Sequence, residues 1–212
     1  MKVDKKSMLL YVVTDRSWLG SNSLNAQVEE IIKAGATFIQ LREKDLSFDQ
    51  FVKKAEEMKK ITDKYHAPFV INDNIQVAVR VNADGIHVGQ SDMNAKDVRA
   101  LIGPDKILGV SAQTVEQAVA AEKNGADYLG VGAVFSTSTK LDADQVSFET
   151  IKEICSSVSI PVVAIGGIDK NNISDLKDSG IAGVAVVSAI FAKPDVAKAT
   201  ADLYTLAKGL FA

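Results

Sequence analysis

The chain has one cysteine, Cys155, and four prolines in 212 residues. A lone thiol excludes an intrachain disulfide and cannot build a cysteine-rich metal site. The prolines are scattered, and no linker, low-complexity tract or charge block divides the sequence. Neither sign of charge dominates: 24 Lys and Arg stand against 27 Asp and Glu, a formal net charge of -3. Without a basic excess, no nucleic-acid partner is expected. No run reaches the roughly 18 apolar residues of a membrane span. The start, Met1-Lys2-Val3-Asp4-Lys5-Lys6, lacks the apolar stretch of a signal peptide. These absences leave a cytoplasmic protein with small-molecule partners and no membrane as the expectation.

What the chain does have is a recurring pattern. Short apolar, β-branched runs end in polar or glycine-rich tips, most of them followed by a helix-like segment. Leu9–Val13 ends in Thr14-Asp15-Arg16, Phe38–Leu41 in Arg42-Glu43-Lys44-Asp45, and Phe69–Ile71 in Asn72-Asp73. Gly85–Val88 ends in Gly89-Gln90-Ser91-Asp92, Ile107–Val110 in Ser111, and Tyr128–Val131 leads to Thr137-Ser138-Thr139-Lys140. Val162–Ile165 ends in Gly166-Gly167, and Val184–Val187 in Ser188. Eight runs with eight polar tips predict a single (β/α)8 TIM barrel over 1–212, its active site at the C-terminal ends of the strands. An open doubly wound sheet also alternates strands and helices. Eight units in so short a chain favour closure.

Periodicity places the intervening helices. Phe48, Phe51, Val52, Ala55, Met58 and Ile61 fall on one helical face. Ser47 with Gln50, and Thr114 with Gln117, have capping-box spacing. Gly35 and Gly125 follow helix ends. Pro194 fits the first turn of a last helix running to about 210.

Three sets of tip residues carry chemistry. Asp73 and Asp92 follow adjacent strands; two acids with few other ligands suit Mg²⁺, which keeps waters and shares phosphate oxygens. Taken singly, Asp73 reads as a helix cap and Asp92 as an ordinary loop acid. Arg42 and Lys44 alternate on one tip, where spacing of two directs both to one side, and Lys140 adds a third cation. Such cations grip a diphosphate, although Arg42-Glu43-Lys44-Asp45 also reads as a solvated alternating-charge loop. Gly166-Gly167 and Ser188 occupy the loops where barrels frequently bind phosphate, and the hydroxyls of loop six add donors. A tight turn is the bland alternative for the glycines. His87 alternates with Ile86 and Val88 and reads as a wall residue packing against a ligand, not as an acid–base group. Trp18 either covers the mouth or packs on the surface. Cys155 reads as an inert helix residue.

Several words together resemble the thiamine-phosphate synthase family over about 9–195. They are Gln40-Leu41-Arg42-Glu43-Lys44, Asn72-Asp73, Ala83–Gln90, Gly130-Val131-Gly132 with Thr137–Lys140, Val163–Ile168 and Val187-Ser188-Ala189-Ile190. The resemblance implies a transferase that joins a hydroxymethylpyrimidine diphosphate to a thiazole phosphate. The products would be thiamine phosphate and pyrophosphate, with one Mg²⁺ per site. It implies that Asp73 and Asp92 hold the metal. Arg42, Lys44, Asn72, Ser111 and Lys140 would bind the diphosphate; of these, Arg42, Lys44, Ser111 and Lys140 would act in catalysis. Gln40 would bond the pyrimidine, with Tyr11 and His87 beside it. Thr137, Thr139, Gly167 and Ser188 would hold the thiazole phosphate, with Val187 adjacent. The implied chemistry is dissociative and needs no side-chain nucleophile.

One departure stands out. Ser136 and Ser138 occupy positions where the family commonly carries prolines, which loosens the free loop. The rival readings are a thiazole tautomerase-like paralogue, a non-catalytic thiazole phosphate-binding regulator and a sugar-phosphate isomerase. A tautomerase would need a histidine after strand five, where this chain reads Ser111-Ala112-Gln113-Thr114. A regulator would not need both anion sites and the metal pair, and a sugar-phosphate isomerase leaves Asp73 and Asp92 unexplained. The outer helix faces are compatible with a homo-oligomer without specifying one.

Overall fold

The computed structural model describes residues 3–20, 22–90, 92–136 and 145–212. Its strands are β1 Leu10–Val13, β2 Phe38–Leu41, β3 Phe69–Asn72, β4 Gly85–Val88, β5 Ile107–Ala112, β6 Tyr128–Val131, β7 Val162–Ile165 and β8 Gly183–Val186. All neighbours pair in parallel, and β8 returns to β1 to close the barrel in the order β1 to β8. The open-sheet alternative is thereby excluded. The helices are α1 Leu24–Lys33, α2 Phe48–Lys64, α3 Ile75–Arg80, α4 Ala95–Ile102, α5 Val115–Lys123, α6 Phe148–Ser157, α7 Ser188–Phe191 and α8 Val196–Phe211. No helix among the described residues is long and apolar enough to cross a membrane.

The period of two in each strand sorts side chains into two cores. Leu10 and Val12, Ile39 and Leu41, Phe69 and Ile71, Ile86 and Val88 face outward and pack beneath the helices. Tyr11, Val13, Phe38, Val70, Ile107, Tyr128, Val163 and Ala185 fill the barrel itself. Three interior aromatics meet there tilted or edge-on, with ring centroids 4.6 Å apart for Tyr11–Phe38 and 5.6 Å for Phe38–Tyr128. Glycines on the inner faces of β5 and β6 leave room beside them: Gly109 lies against Tyr128, and Gly130 against His87.

The helices differ from their expected forms in instructive ways. Ser47 and Gln50 make the full capping box of α2. Phe51, Ala55 and Met58 are buried as expected, but Phe48 is 44% exposed. It sits at the first helical position, and the buried stripe extends at the other end to Thr62. Thr114 caps α5 through the Gln117 N–H, yet the Gln117 side chain accepts from Gln113 and not from Thr114, so the box is incomplete. Pro194 precedes the α8 cap instead of entering the helix; Asp195 is the cap, accepting from the Lys198 N–H at 2.8 Å. Between β7 and β8 the chain forms only a 3-10 turn, Ile173–Leu176. There Asp169 and Asn172 bond nearby backbone N–H groups, which competes with helix formation.

The N-terminal ends of the strands are locked by charge. Asp84 accepts from the Phe69 N–H, and Asp127 from the Leu108 N–H, both at 2.8 Å. Arg99 binds Asp127 at 2.6 Å and the carbonyls of Gly103, Lys106 and Gly125. Removing it strands a largely buried carboxylate and several carbonyls. Arg99→Ala is expected to cost about 2–3 kcal/mol of stability. A urea titration would show the lowered midpoint, with catalytic constants unchanged because this cluster lies at the end of the barrel away from the polar tips.

Candidate active site

The C-terminal ends of the strands gather the polar tips. At β2 the backbone is tied to β1: Thr14 N–H donates to the Gln40 carbonyl at 2.9 Å, and the Thr14 hydroxyl accepts from the Arg42 N–H at 3.1 Å. Arg42 is half-buried and Lys44 exposed. Between them, Glu43 turns under the loop, its side chain only 2% exposed, and pairs with Arg16 at 2.7 Å. Burial pushes the Glu43 pKa up, and the Arg16 charge opposes this. Its Oε1 is buried with no hydrogen-bond partner among the described residues. The pairing spans 27 positions, so no local pattern could have announced it. The segment after β1 that supplies Arg16 also holds Trp18, which packs partly buried against the outer core.

At β3 and β4 the two acids meet. Asp73 has a left-handed backbone, φ 60°, which Asp tolerates better than most residues. Its N–H donates to the His87 carbonyl at 2.9 Å, and Asn72 Nδ2 donates to its Oδ2 at 2.6 Å. Asp92 accepts from the Gly89 N–H at 2.6 Å. Asp73 keeps an exposed edge, but loss of water around its carboxyl and then the Asp92 carboxylate raise its pKa to about 6. The Asn72 amide and the Arg42 charge pull it back. Among the described residues no group of three or more His, Cys, Asp and Glu is poised for a metal. Two facing carboxylates, Asp73 and Asp92, fit a hard divalent cation that keeps waters and takes phosphate oxygens. They do not fit a closed zinc cage.

Inside the barrel, below these acids, polar side chains form one chain of hydrogen bonds. Gln40 Nε2 donates to the Tyr11 hydroxyl at 2.5 Å, and the Tyr11 and Tyr128 hydroxyls lie 2.7 Å apart. Tyr128 reaches His87 Nδ1 at 2.9 Å, and His87 Nε2 reaches Ser111 Oγ at 3.0 Å. Burial lowers the His87 pKa to about 4, only slightly offset by Asp92, so the ring is neutral at pH 7. Burial likewise raises both tyrosines well above the usual phenol range. Ser111 was expected at a tip but lies within β5, which runs two residues further than its apolar run. Its carbonyl is held by Gln90 Nε2 at 2.5 Å.

On the far side, loops six and seven are pressed together. The Val134 and Phe135 N–H groups donate to the Ile165 and Gly166 carbonyls, each at 3.0 Å. Gly166 and Gly167 have φ of 103° and 63°. A side chain on Gly167 would strike the Ser136 carbonyl and Phe135, so glycine is required by close approach as well as by turn geometry. Val187 lies just past β8 as the residue before α7, which starts at Ser188 with no side-chain cap. Thr137, Ser138, Thr139 and Lys140 lie outside the described residues.

The structure thus joins Tyr11, Gln40, His87 and Ser111 in one network, and Asn72, Asp73 and Asp92 in another that feels the Arg42 charge. Lys44 stands exposed on the β2 tip, with no side-chain hydrogen bond or ion pair among the described residues. Sequence reasoning missed Tyr128, Glu43, Arg16 and Gln90. Tyr128 was concealed because the first residue of an apolar run reads as plain core. Cys155 is half-buried on α6, and burial pushes its thiol to about 11, well away from reactivity.

Fold and tips together define a (β/α)8 enzyme barrel with charged and polar groups converging at its C-terminal mouth. The thiamine monophosphate synthase family profile matches residues 10–190. The thiamine-phosphate synthase of Clostridium tetani is 53% identical over 194 residues, 92% of this chain and 93% of that one. That of Ruminiclostridium cellulolyticum is 55% identical over 187 residues, 88% and 89% of the two chains. The solved thiamine phosphate pyrophosphorylase of Pyrococcus furiosus superposes with a TM-score of 0.91 at 38% identity, covering 98% of this chain and 99% of that one. The chain belongs to the thiamine monophosphate synthase family.

Proposed function

We propose that the chain condenses a hydroxymethylpyrimidine diphosphate with a thiazole phosphate, releasing pyrophosphate and forming thiamine phosphate. Beyond family membership, the observation that carries this reading is the Asp73–Asp92 pair facing each other at the mouth, beside Arg42 and above the Gln40–Ser111 network. A tautomerase or a sugar-phosphate isomerase has no use for that pair. The loop after β5 holds no histidine, and the neutral His87 is engaged at both ring nitrogens.

In this reading Asp73 and Asp92 hold Mg²⁺. Bound there, it supplies charge neutralisation for the departing pyrophosphate. Arg42, Lys44, Asn72, Ser111 and Lys140 bind the diphosphate oxygens and stabilise the charge that grows as the carbon–oxygen bond breaks. Gln40 orients the pyrimidine, with Tyr11 and His87 lining its edge. Thr137, Thr139, Gly167 and Ser188 hold the thiazole phosphate, Val187 adjacent, so that the ring nitrogen faces the methylene carbon. Holding the two rings together supplies much of the rate, and no protein nucleophile is required. Both substrates are phosphorylated and would not cross a bilayer unaided, so the reaction is placed in the cytoplasm with them. The test is pyrophosphate release with both substrates and Mg²⁺, matched one for one by thiamine phosphate.

A further inference from the structure

The hydrogen-bond chain through the barrel has a direction, and it starts from an atom with no choice. Gln40 Nε2 only donates, and it donates to Tyr11. The Tyr11 hydroxyl accepts there, and its other partner is the Tyr128 oxygen at 2.7 Å; the pairing that leaves no buried phenol proton without an acceptor has Tyr11 donating to Tyr128. Tyr128 then gives its own proton to His87 Nδ1 at 2.9 Å. An Nδ1 that accepts leaves the ring proton on Nε2, which donates to Ser111 Oγ at 3.0 Å. Ser111 receives that bond, so its own proton is left for a group outside the network. At the other end, Gln40 has committed its amide nitrogen and presents its carbonyl oxygen.

We propose that Tyr128 is a positioning residue that fixes the polarity of this relay, coupling Gln40 at the pyrimidine end of the substrate to Ser111 at its diphosphate end. This rests on the synthase reading and deepens it. A reversed relay would turn the Gln40 amide nitrogen and the Ser111 lone pairs toward the ligand. Those are the wrong faces for a ring amine and an anion. Tyr128 stands at the middle of the relay and is fully buried, so it acts only through its two neighbours.

A second observation supports a built pathway, not incidental packing. A side chain on Gly109 would overlap the Tyr128 ring and hydroxyl and lie 2.5 Å from His87 Nδ1, in the space the Tyr128–His87 bond occupies. On the next strand, a side chain on Gly130 would lie 3.1 Å from His87 Cε1. Two adjacent strands therefore leave room for the same bond.

The test has two arms. Tyr128→Phe keeps the ring and removes both hydrogen bonds. It should raise KM for the pyrimidine diphosphate about tenfold, the worth of one or two buried hydrogen bonds, and leave KM for the thiazole phosphate unchanged. Added to Ser111→Ala it should do little more, because Ser111→Ala already removes the proton whose direction Tyr128 sets. Equal effects on both substrates, or fully additive effects with Ser111→Ala, would overturn the proposal. The second arm needs no variant and no activity: ¹⁵N spectra of the wild-type protein at pH 7, where the only other histidine is the exposed His66. His87 is expected as the Nε2–H tautomer, and the Nδ1–H tautomer would contradict the relay. An inactive wild-type protein would refute the synthase reading, while the tautomer result would still decide the direction.

Discussion

Asp92→Asn is expected to lower kcat/KM for thiamine phosphate formation by about a thousandfold, because a catalytic metal is worth several kcal/mol and each ~1.4 kcal/mol is a factor of ten. The amide keeps the size of the side chain but gives up the charge that, with Asp73, attracts a divalent cation. The same substitution should make the metal-free protein more stable at neutral pH. In the wild type, loss of water and then the Asp92 charge raise the Asp73 pKa from its ordinary 3.8 to about 6. A carboxylate with a raised folded-state pKa holds its proton longer in the native than in the unfolded chain. Stability then falls as pH rises through that window, from about 4 to about 6. Removing the Asp92 charge relieves part of that loss. Thermal melts without Mg²⁺ at pH 5 and pH 7 would show a smaller drop in Tm for the variant. Added Mg²⁺ should raise the wild-type Tm at pH 7 and leave the variant nearly unmoved. An active Asp92→Asn, or one as responsive to Mg²⁺ as the wild type, would remove Asp92 from the metal site.

Gly109→Ala carries the second large effect. One methyl on the inner face of β5 has to displace the Tyr128 ring or the His87 imidazole, both of which are buried. Overpacking of this kind costs roughly 1–3 kcal/mol, and the broken Tyr128–His87 bond adds about 1 kcal/mol more. A loss of about 3 kcal/mol should appear in urea denaturation. Diphosphate binding should weaken at temperatures where the variant remains folded, since Ser111 loses its oriented partner. Gly209→Ala, with open space around its β-position in α8, is the control and should leave stability unchanged or slightly raised.

The barrel and its mouth could be read from local patterns because a parallel barrel strand is a local object. Alternation within Gly85-Ile86-His87-Val88 put His87 on the inner face, and the structure places it there, bonded to Tyr128 and Ser111. Strand ends marked Asp73 and Asp92 as neighbours because β3 and β4 are adjacent in both sequence and space. What was hidden depends on pairing across the barrel. Tyr128 and Tyr11 are separated by 117 positions and Arg16 and Glu43 by 27, and each member reads as ordinary core or ordinary surface. The ends of elements were also blurred. Ser111 belongs to the strand because β5 continues its ladder with β6 through Ala112. Pro194 lies outside the last helix, which starts after the Asp195 cap, and Phe48 falls on the exposed first turn of α2.

Synthesis of thiamine phosphate at a metal site built on Asp92 is decided by quantifying pyrophosphate and thiamine phosphate together, with hydroxymethylpyrimidine diphosphate, thiazole phosphate and Mg²⁺ supplied to the wild-type protein and to Asp92→Asn. Equal amounts of both products are expected from the wild type, and nearly none from the variant or after chelation. Folded wild-type protein that binds thiazole phosphate but releases no pyrophosphate would contradict the synthase reading.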